Sequence, residues 1–132
     1  MPFVSWATIP QKEDDMKYML LINLGPRARD YQNLPEDERK EVAAGWGAVN
    51  QTPGLTPGNQ LQSPETATTV RVHDGKTLTT DGPYVETKEA LDGYCIVEAD
   101  DLDAAIGVAA KMPGAAMGGA IEIRPIAEWT RS

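Results

Sequence analysis

Apolar and polar residues alternate with different periods along the chain, and each period predicts one kind of element. Residues 17–24 form a nearly continuous apolar run, which is typical of a strand covered on both faces. A helix is expected to begin near Pro35, where proline and the following acids suit a first turn, and to end before Pro53. Its apolar residues recur at helical spacing, at Val42, Trp46 and Val49. The proline- and glycine-rich stretch around Pro57 and Gly58 is expected to be irregular.

The next segment has the two-residue period of a β-hairpin. Residues 66–73 alternate between apolar and polar side chains, as a half-buried strand does. Asp74-Gly75 is a favoured dipeptide for a tight hairpin turn. Residues 76–80 are therefore expected to return antiparallel to residues 66–73.

The remaining chain predicts a strand, a helix and a final strand. Residues 94–99 and 120–126 have strand character. The helix between them is expected to start at Asp100 or Asp101, either of which can cap it, and to be ended by Pro113-Gly114. Its apolar residues fall on one helical face, at Leu102, Ala105, Ile106, Ala109 and Ala110.

This order of elements predicts the α+β class. Strand, helix, strand, hairpin, strand, helix, strand is a ferredoxin-like split β-α-β plan, with both helices on one side of an antiparallel sheet. The opposite face of such a sheet would expose valine, leucine and isoleucine to water. A homodimer formed through the sheets is therefore expected.

Composition and charge exclude several classes of function. The chain has 132 residues, enough for one domain, and a net charge of −8 that repels phosphate backbones, so nucleic-acid binding is not expected. Its longest apolar stretch is too short to cross a bilayer and its start lacks a signal pattern, so a cytoplasmic protein without membrane contact is predicted. One cysteine and one histidine give no disulfide and no transition-metal motif, so neither a metal nor another cofactor is expected. Residues 1–15 are interpreted as an N-terminal extension that precedes a domain of residues 16–132.

A turn followed by three charged side chains is the best candidate for chemistry. The Asp-Gly-Pro sequence of residues 81–83 predicts a tight turn of the backbone. Glu86, Lys88 and Glu89 follow within a few residues. Burial of one carboxylate beside a lysine can move its pKa into the range of a general acid or base, so Asp81, Glu86 and Glu89 are candidate catalytic residues.

Residues 80–94, together with residues 67–72 and 74–76, resemble the DGPF group of the YCII-related protein family, and the likeness extends from residue 16 to about residue 129. The resemblance implies a dimeric α+β barrel, in which two sheets face each other and a small-molecule pocket lies between helix layer, sheet and partner. In this chain Asp92 and Cys95 depart from the glycine and the aromatic residue expected at their places.

Three further residues are candidates for binding a substrate. Arg71 can hold an anionic group, Lys88 can keep a neighbouring carboxylate ionised, and Tyr84 adds a hydroxyl where many DGPF-type members carry phenylalanine. Each candidate also has an ordinary structural interpretation: Asp81 as a turn cap, Glu86, Lys88 and Glu89 as solvated loop charges, and Arg71 as a cross-strand ion-pair partner.

Two functions from different classes follow from the resemblance. The first is a small enzyme that performs cofactor-free acid/base chemistry, such as elimination, isomerisation or lactone conversion, on a small organic substrate. The second is a non-catalytic ligand-binding or regulatory protein, because genes of DGPF-type members often neighbour those of extracytoplasmic-function sigma factors. Pocket carboxylates with shifted pKa values favour the first, and a dry pocket without them favours the second.

Overall fold

The computed structural model of the chain describes residues 16–83 and 91–127. Its helices and strands, in chain order, are β1 Met16–Asn23, α1 Pro26–Arg29, α2 Glu36–Asn50, β2 Leu55–Gln60, β3 Thr68–His73, β4 Lys76–Asp81, β5 Gly93–Ala99, α3 Leu102–Ala110, α4 Pro113–Ala116 and β6 Ala120–Pro125. Strands β2, β5, β1 and β6 form an antiparallel sheet in that spatial order, while β3 and β4 pair only with each other.

The sheet has the ferredoxin-like strand order. Along the chain α2 connects β1 to β2 and α3 connects β5 to β6, so the strand–helix–strand unit occurs twice. The first and third sheet strands of the chain lie in the centre and the second and fourth at the edges. The predicted α+β class and split β-α-β plan are therefore confirmed, and the placement of β6 at an edge explains how its terminal Pro125 is tolerated.

The prediction of an irregular segment around Pro57 and Gly58 is wrong. Residues Leu55–Gln60 form the second strand of the sheet, whereas the sequence pattern predicts that residues 66–73 form it. The register with β5 shifts between Thr56 and Asn59, so both breakers lie in a β-bulge on an edge strand, where a missing N–H donor is tolerated. The alternating residues 66–73 contribute instead to the separate β3–β4 hairpin, whose Asp74-Gly75 turn is confirmed.

The core lies between the helices and one face of the sheet. Side chains alternate along β1 and β5, so Leu20 and Val97 are buried against the helices. The same cluster contains Tyr18, Val49, Cys95, Ala105 and Met112. The opposite sheet face carries Met19 paired with Ile96 and Leu21 paired with Tyr94.

The helix limits follow local chemistry. The Asp101 side chain accepts a hydrogen bond from the Ala104 backbone N–H at 2.8 Å, which confirms the predicted cap of α3. Proline is favoured in a first helical turn, so Pro113 begins the short α4 two residues after α3 rather than introducing a loop. None of the helices in residues 16–83 and 91–127 is long and apolar enough to cross a membrane.

Candidate functional site

A cavity of about 690 Å³ lies beside α2, at the end of the sheet where β1 finishes and β5 begins. The bulge of β2 and helix α4 complete its wall. This volume falls within the range of small-molecule sites in proteins.

The inner wall of the cavity is apolar. Val42 and Val49 face it from α2, and Met112 contributes from the segment before α4; all three are buried. Trp46, one turn from each valine on α2, also lines it and packs against the core cluster. The three α2 residues that helical spacing assigned to a core face thus form both core and cavity wall.

A buried ion pair forms the polar end of this wall. The side chain of Asp92 is 6% exposed, and its two oxygens accept hydrogen bonds from Nε and Nη2 of Arg29, both at 2.9 Å. The Leu24 backbone N–H donates a third hydrogen bond to the same carboxylate, at 2.7 Å. The Arg29 side chain is 28% exposed, so the pair bridges from the protein interior to the cavity.

This geometry fixes the Arg29 guanidinium against the Asp92 carboxylate. A two-point contact between guanidinium and carboxylate is stronger than a neutral hydrogen bond and fixes the orientation of the arginine. The hydrogen bonds to Asp92 raise the pKa of the Arg29 guanidinium, against the smaller opposing effect of burial. Asp92 therefore anchors Arg29 in the cavity wall.

Asp92 also joins the ends of three strands through its backbone. Its N–H donates to the Ile22 carbonyl in β1 at 2.8 Å, and its carbonyl accepts from Leu61, just after β2, at 2.7 Å. Because its side chain reaches α1 as well, this one residue ties β1, β2, β5 and α1 together at the cavity wall.

The β2 bulge approaches β5 so closely that residue 58 must be glycine. A Cβ atom on Gly58 would lie 1.9 Å from the Tyr94 backbone oxygen. No side chain fits that space without moving one strand. The bulge is thus pressed against β5 and brings Pro57, Gly58, Asn59 and Gln60 into the cavity wall.

Cys95, the third residue of β5, also lines the cavity. It is buried, and burial raises the pKa of its thiol. The neutral thiol is a poor nucleophile, so we interpret Cys95 as a packing residue of the core. Among the residues that the structure describes, no group of three or more His, Cys, Asp and Glu side chains is arranged to hold a metal ion.

The structure describes two of the six predicted site residues. Arg71 is in β3 and Asp81 ends β4; both are exposed on the hairpin, outside the set of described residues that line the cavity. The turn after Asp81 forms as expected, with Gly82 at a φ of +99° that favours glycine and its N–H bonded to the Ala67 carbonyl at 2.7 Å. Tyr84, Glu86, Lys88 and Glu89 lie outside the described residues.

Arg29 and Asp92 were not among the predicted site residues. Asp92 carried one usable signal, since an aspartate stands where the family resemblance leads one to expect glycine. Arg29 carried none: it lies 63 positions away in a short helix, and pairing over that separation is a product of the fold.

Most of the chain is similar to known proteins. The YCII-related domain matches residues 16–130. An uncharacterized protein of Rhizobium meliloti (strain 1021) is 34% identical over 100 residues, which cover 75% of this chain and 74% of that protein.

Proposed function

Because the chain belongs to the YCII-related family and contains an open cavity of ligand size, we propose that it binds a small organic molecule between α2 and the sheet. The observation that carries this proposal is the combination of an apolar wall with one ordered polar group. Val42, Trp46 and Met112 form the apolar surface, and the Arg29–Asp92 ion pair lies beside it as a polar group with a fixed orientation. Concave sites with this division of surface are typical of small-molecule binding.

Two substitutions on α2 test where a ligand binds. Ala43 is exposed and lines the cavity, so Ala43→Phe fills the cavity without displacing a core residue. Ala48 is exposed on the same helix outside the cavity lining, so Ala48→Phe is the matched control. In ligand-observed NMR with a library of small aromatic fragments, hits should be lost with Ala43→Phe and retained with Ala48→Phe. Hits that survive both substitutions would place binding elsewhere.

Cofactor-free acid/base chemistry is the second candidate function. Glu86, Lys88 and Glu89 precede Asp92, a cavity-wall residue, by three to six positions in the sequence. Together with Asp81 they remain candidates for general acid and base, and Tyr84 and Arg71 for substrate contacts. We expect Glu86→Gln and Lys88→Ala each to weaken ligand binding about tenfold with little change in melting temperature. Unaltered affinity together with a large fall in melting temperature would make these residues structural.

A homodimer through the sheets is also part of the proposal. Met19, Leu21 and Ile96 form an apolar strip on the sheet face opposite the helices. Such a face is stabilised by a second sheet against it. We further propose that the protein acts in the cytoplasm, because a single free cysteine suits a reducing compartment.

A further inference from the structure

The charge balance of the cavity wall bears on the kind of ligand it accepts. Among the described residues that line the cavity, two side chains are formally charged at neutral pH, Arg29 and Asp92. They are bonded to each other at two points, so their charges offset within the wall. A ligand that brings a net charge into this space gives up hydration without gaining an offsetting charge from these residues.

The polar groups at the rim suit an uncharged ligand. Three residues with amide side chains line the cavity, Gln32, Asn50 and Gln60, and all three are exposed. An amide side chain has both a hydrogen-bond donor and an acceptor, so it pairs with carbonyl, hydroxyl and amide groups without requiring charge.

The field of the whole protein adds a second reason against anions. With twenty acidic and twelve Lys and Arg residues the chain carries a net charge of −8. A field of that sign lowers the concentration of anions near the surface and slows their entry.

We infer that the cavity takes an uncharged ligand with an apolar body and a neutral hydrogen-bonding group, such as an amide, lactone, ketone or alcohol, and excludes the corresponding carboxylates. This inference rests on the proposed binding function. Within it, Asp92 determines specificity: by offsetting Arg29 it prevents the guanidinium from acting as an anion site.

A matched series of probes tests the charge preference in the unmodified protein. Indole-3-acetamide, indole-3-acetate and tryptamine share a ring and differ in charge: neutral, negative and positive. Isothermal titration calorimetry at neutral pH should give the amide at least about tenfold tighter binding than either charged probe, equal to about 1.4 kcal/mol. Equal or tighter binding of the acetate or of tryptamine would overturn the inference while leaving the proposed binding function intact. If none of the three probes binds at millimolar concentration, both fail.

Substitutions at the ion pair provide the second arm. Asp92→Asn raises the formal charge of the wall by one, so it should move the preference at least about tenfold towards indole-3-acetate. The double substitution Asp92→Asn with Arg29→Met keeps the wall neutral and should retain the preference for the amide. If the single variant does not fold, the double variant is decisive: a gain in affinity for the acetate in it would contradict the assigned role of Asp92. An unchanged preference in a folded Asp92→Asn protein would contradict it equally.

Discussion

The hydrogen bonds of Asp92 predict a large and strongly coupled loss of stability when either member of the ion pair is changed. Asp92→Asn replaces one acceptor oxygen by an N–H₂ group that faces the donors of Arg29 and Leu24. Arg29→Met leaves a carboxylate that is 6% exposed with fewer of its donors. In both variants a charge stays in the wall without the partner that offset it.

The expected magnitude follows from burial. Removing one partner of a fully buried ion pair costs about 3–5 kcal/mol. The Arg29 side chain is 28% exposed and can turn towards water, so we expect each single substitution to lower the free energy of unfolding by about 2–3 kcal/mol. In the double variant no unpaired charge remains, and its loss should be smaller than the sum by about 1–3 kcal/mol.

Urea unfolding followed by circular dichroism measures all four proteins of this double-mutant cycle. The slopes of the unfolding curves should agree, so that differences in midpoint report differences in stability. Single variants within about 0.5 kcal/mol of the original protein, or losses that simply add, would refute the view that Asp92 and Arg29 act as one buried unit.

Three other features give predictions. Gly58→Ala should lower the free energy of unfolding by about 1–3 kcal/mol, because the new Cβ atom overlaps the Tyr94 backbone oxygen. The control Gly47→Ala, at an open position of α2, should raise the free energy of unfolding by about 0.5–1 kcal/mol. Equal effects of the two substitutions in urea unfolding would contradict the bulge geometry. Burial raises the pKa of the Cys95 thiol in the folded protein, so the stability contributed by the neutral thiol is complete below the unfolded thiol pKa of about 8.5 and is lost as pH rises through the folded pKa. Above about pH 8.5 the free energy of unfolding of Cys95→Ala should therefore fall less steeply than that of the original protein. Parallel pH profiles for the two proteins would contradict this prediction. Met19→Asp places a charge on the sheet face opposite the helices and should yield a 14.3 kDa monomer in light scattering. The control Thr77→Asp, at an exposed position of the hairpin, should remain dimeric. If the original protein is already a monomer, the proposed dimer through the sheets is wrong.

The sequence predicted the fold class well because most elements have a clear period. Both α2 and α3 carry apolar stripes; α2 begins with acids in its first turn, and α3 has the Asp101 cap. The Asp74-Gly75 turn of the hairpin is strongly determined by local chemistry. β2 was missed because local breakers, Pro57 and Gly58, mark a loop unless tertiary pairing accommodates them in a bulge. The alternating valines of β3 gave the stronger strand signal, although that strand lies outside the central sheet.

The candidate site was harder to predict for a different reason. Its polar centre joins residues 63 positions apart, and its wall uses helix positions that by spacing alone belong to the core. Asp81 is a candidate because it is close in sequence to Glu86, Lys88 and Glu89, and Arg71 because it can hold an anionic group, but neither property places a side chain in the cavity. Only the departure from an expected glycine pointed towards Asp92.

Backbone NMR mapping of indole-3-acetamide tests the central claim, that the cavity beside α2 is the ligand site. In a titration of ¹⁵N-labelled protein, we expect the largest shifts at the amides of Trp46, Gly58 and Asp92 and at the Trp46 indole N–H, which lie in three separate parts of the cavity wall. The β3–β4 hairpin should remain unshifted. Shifts concentrated on the hairpin around Arg71 and Asp81, with the three cavity residues unchanged, would contradict binding in the cavity. They would place the ligand site at the turn after Asp81 instead.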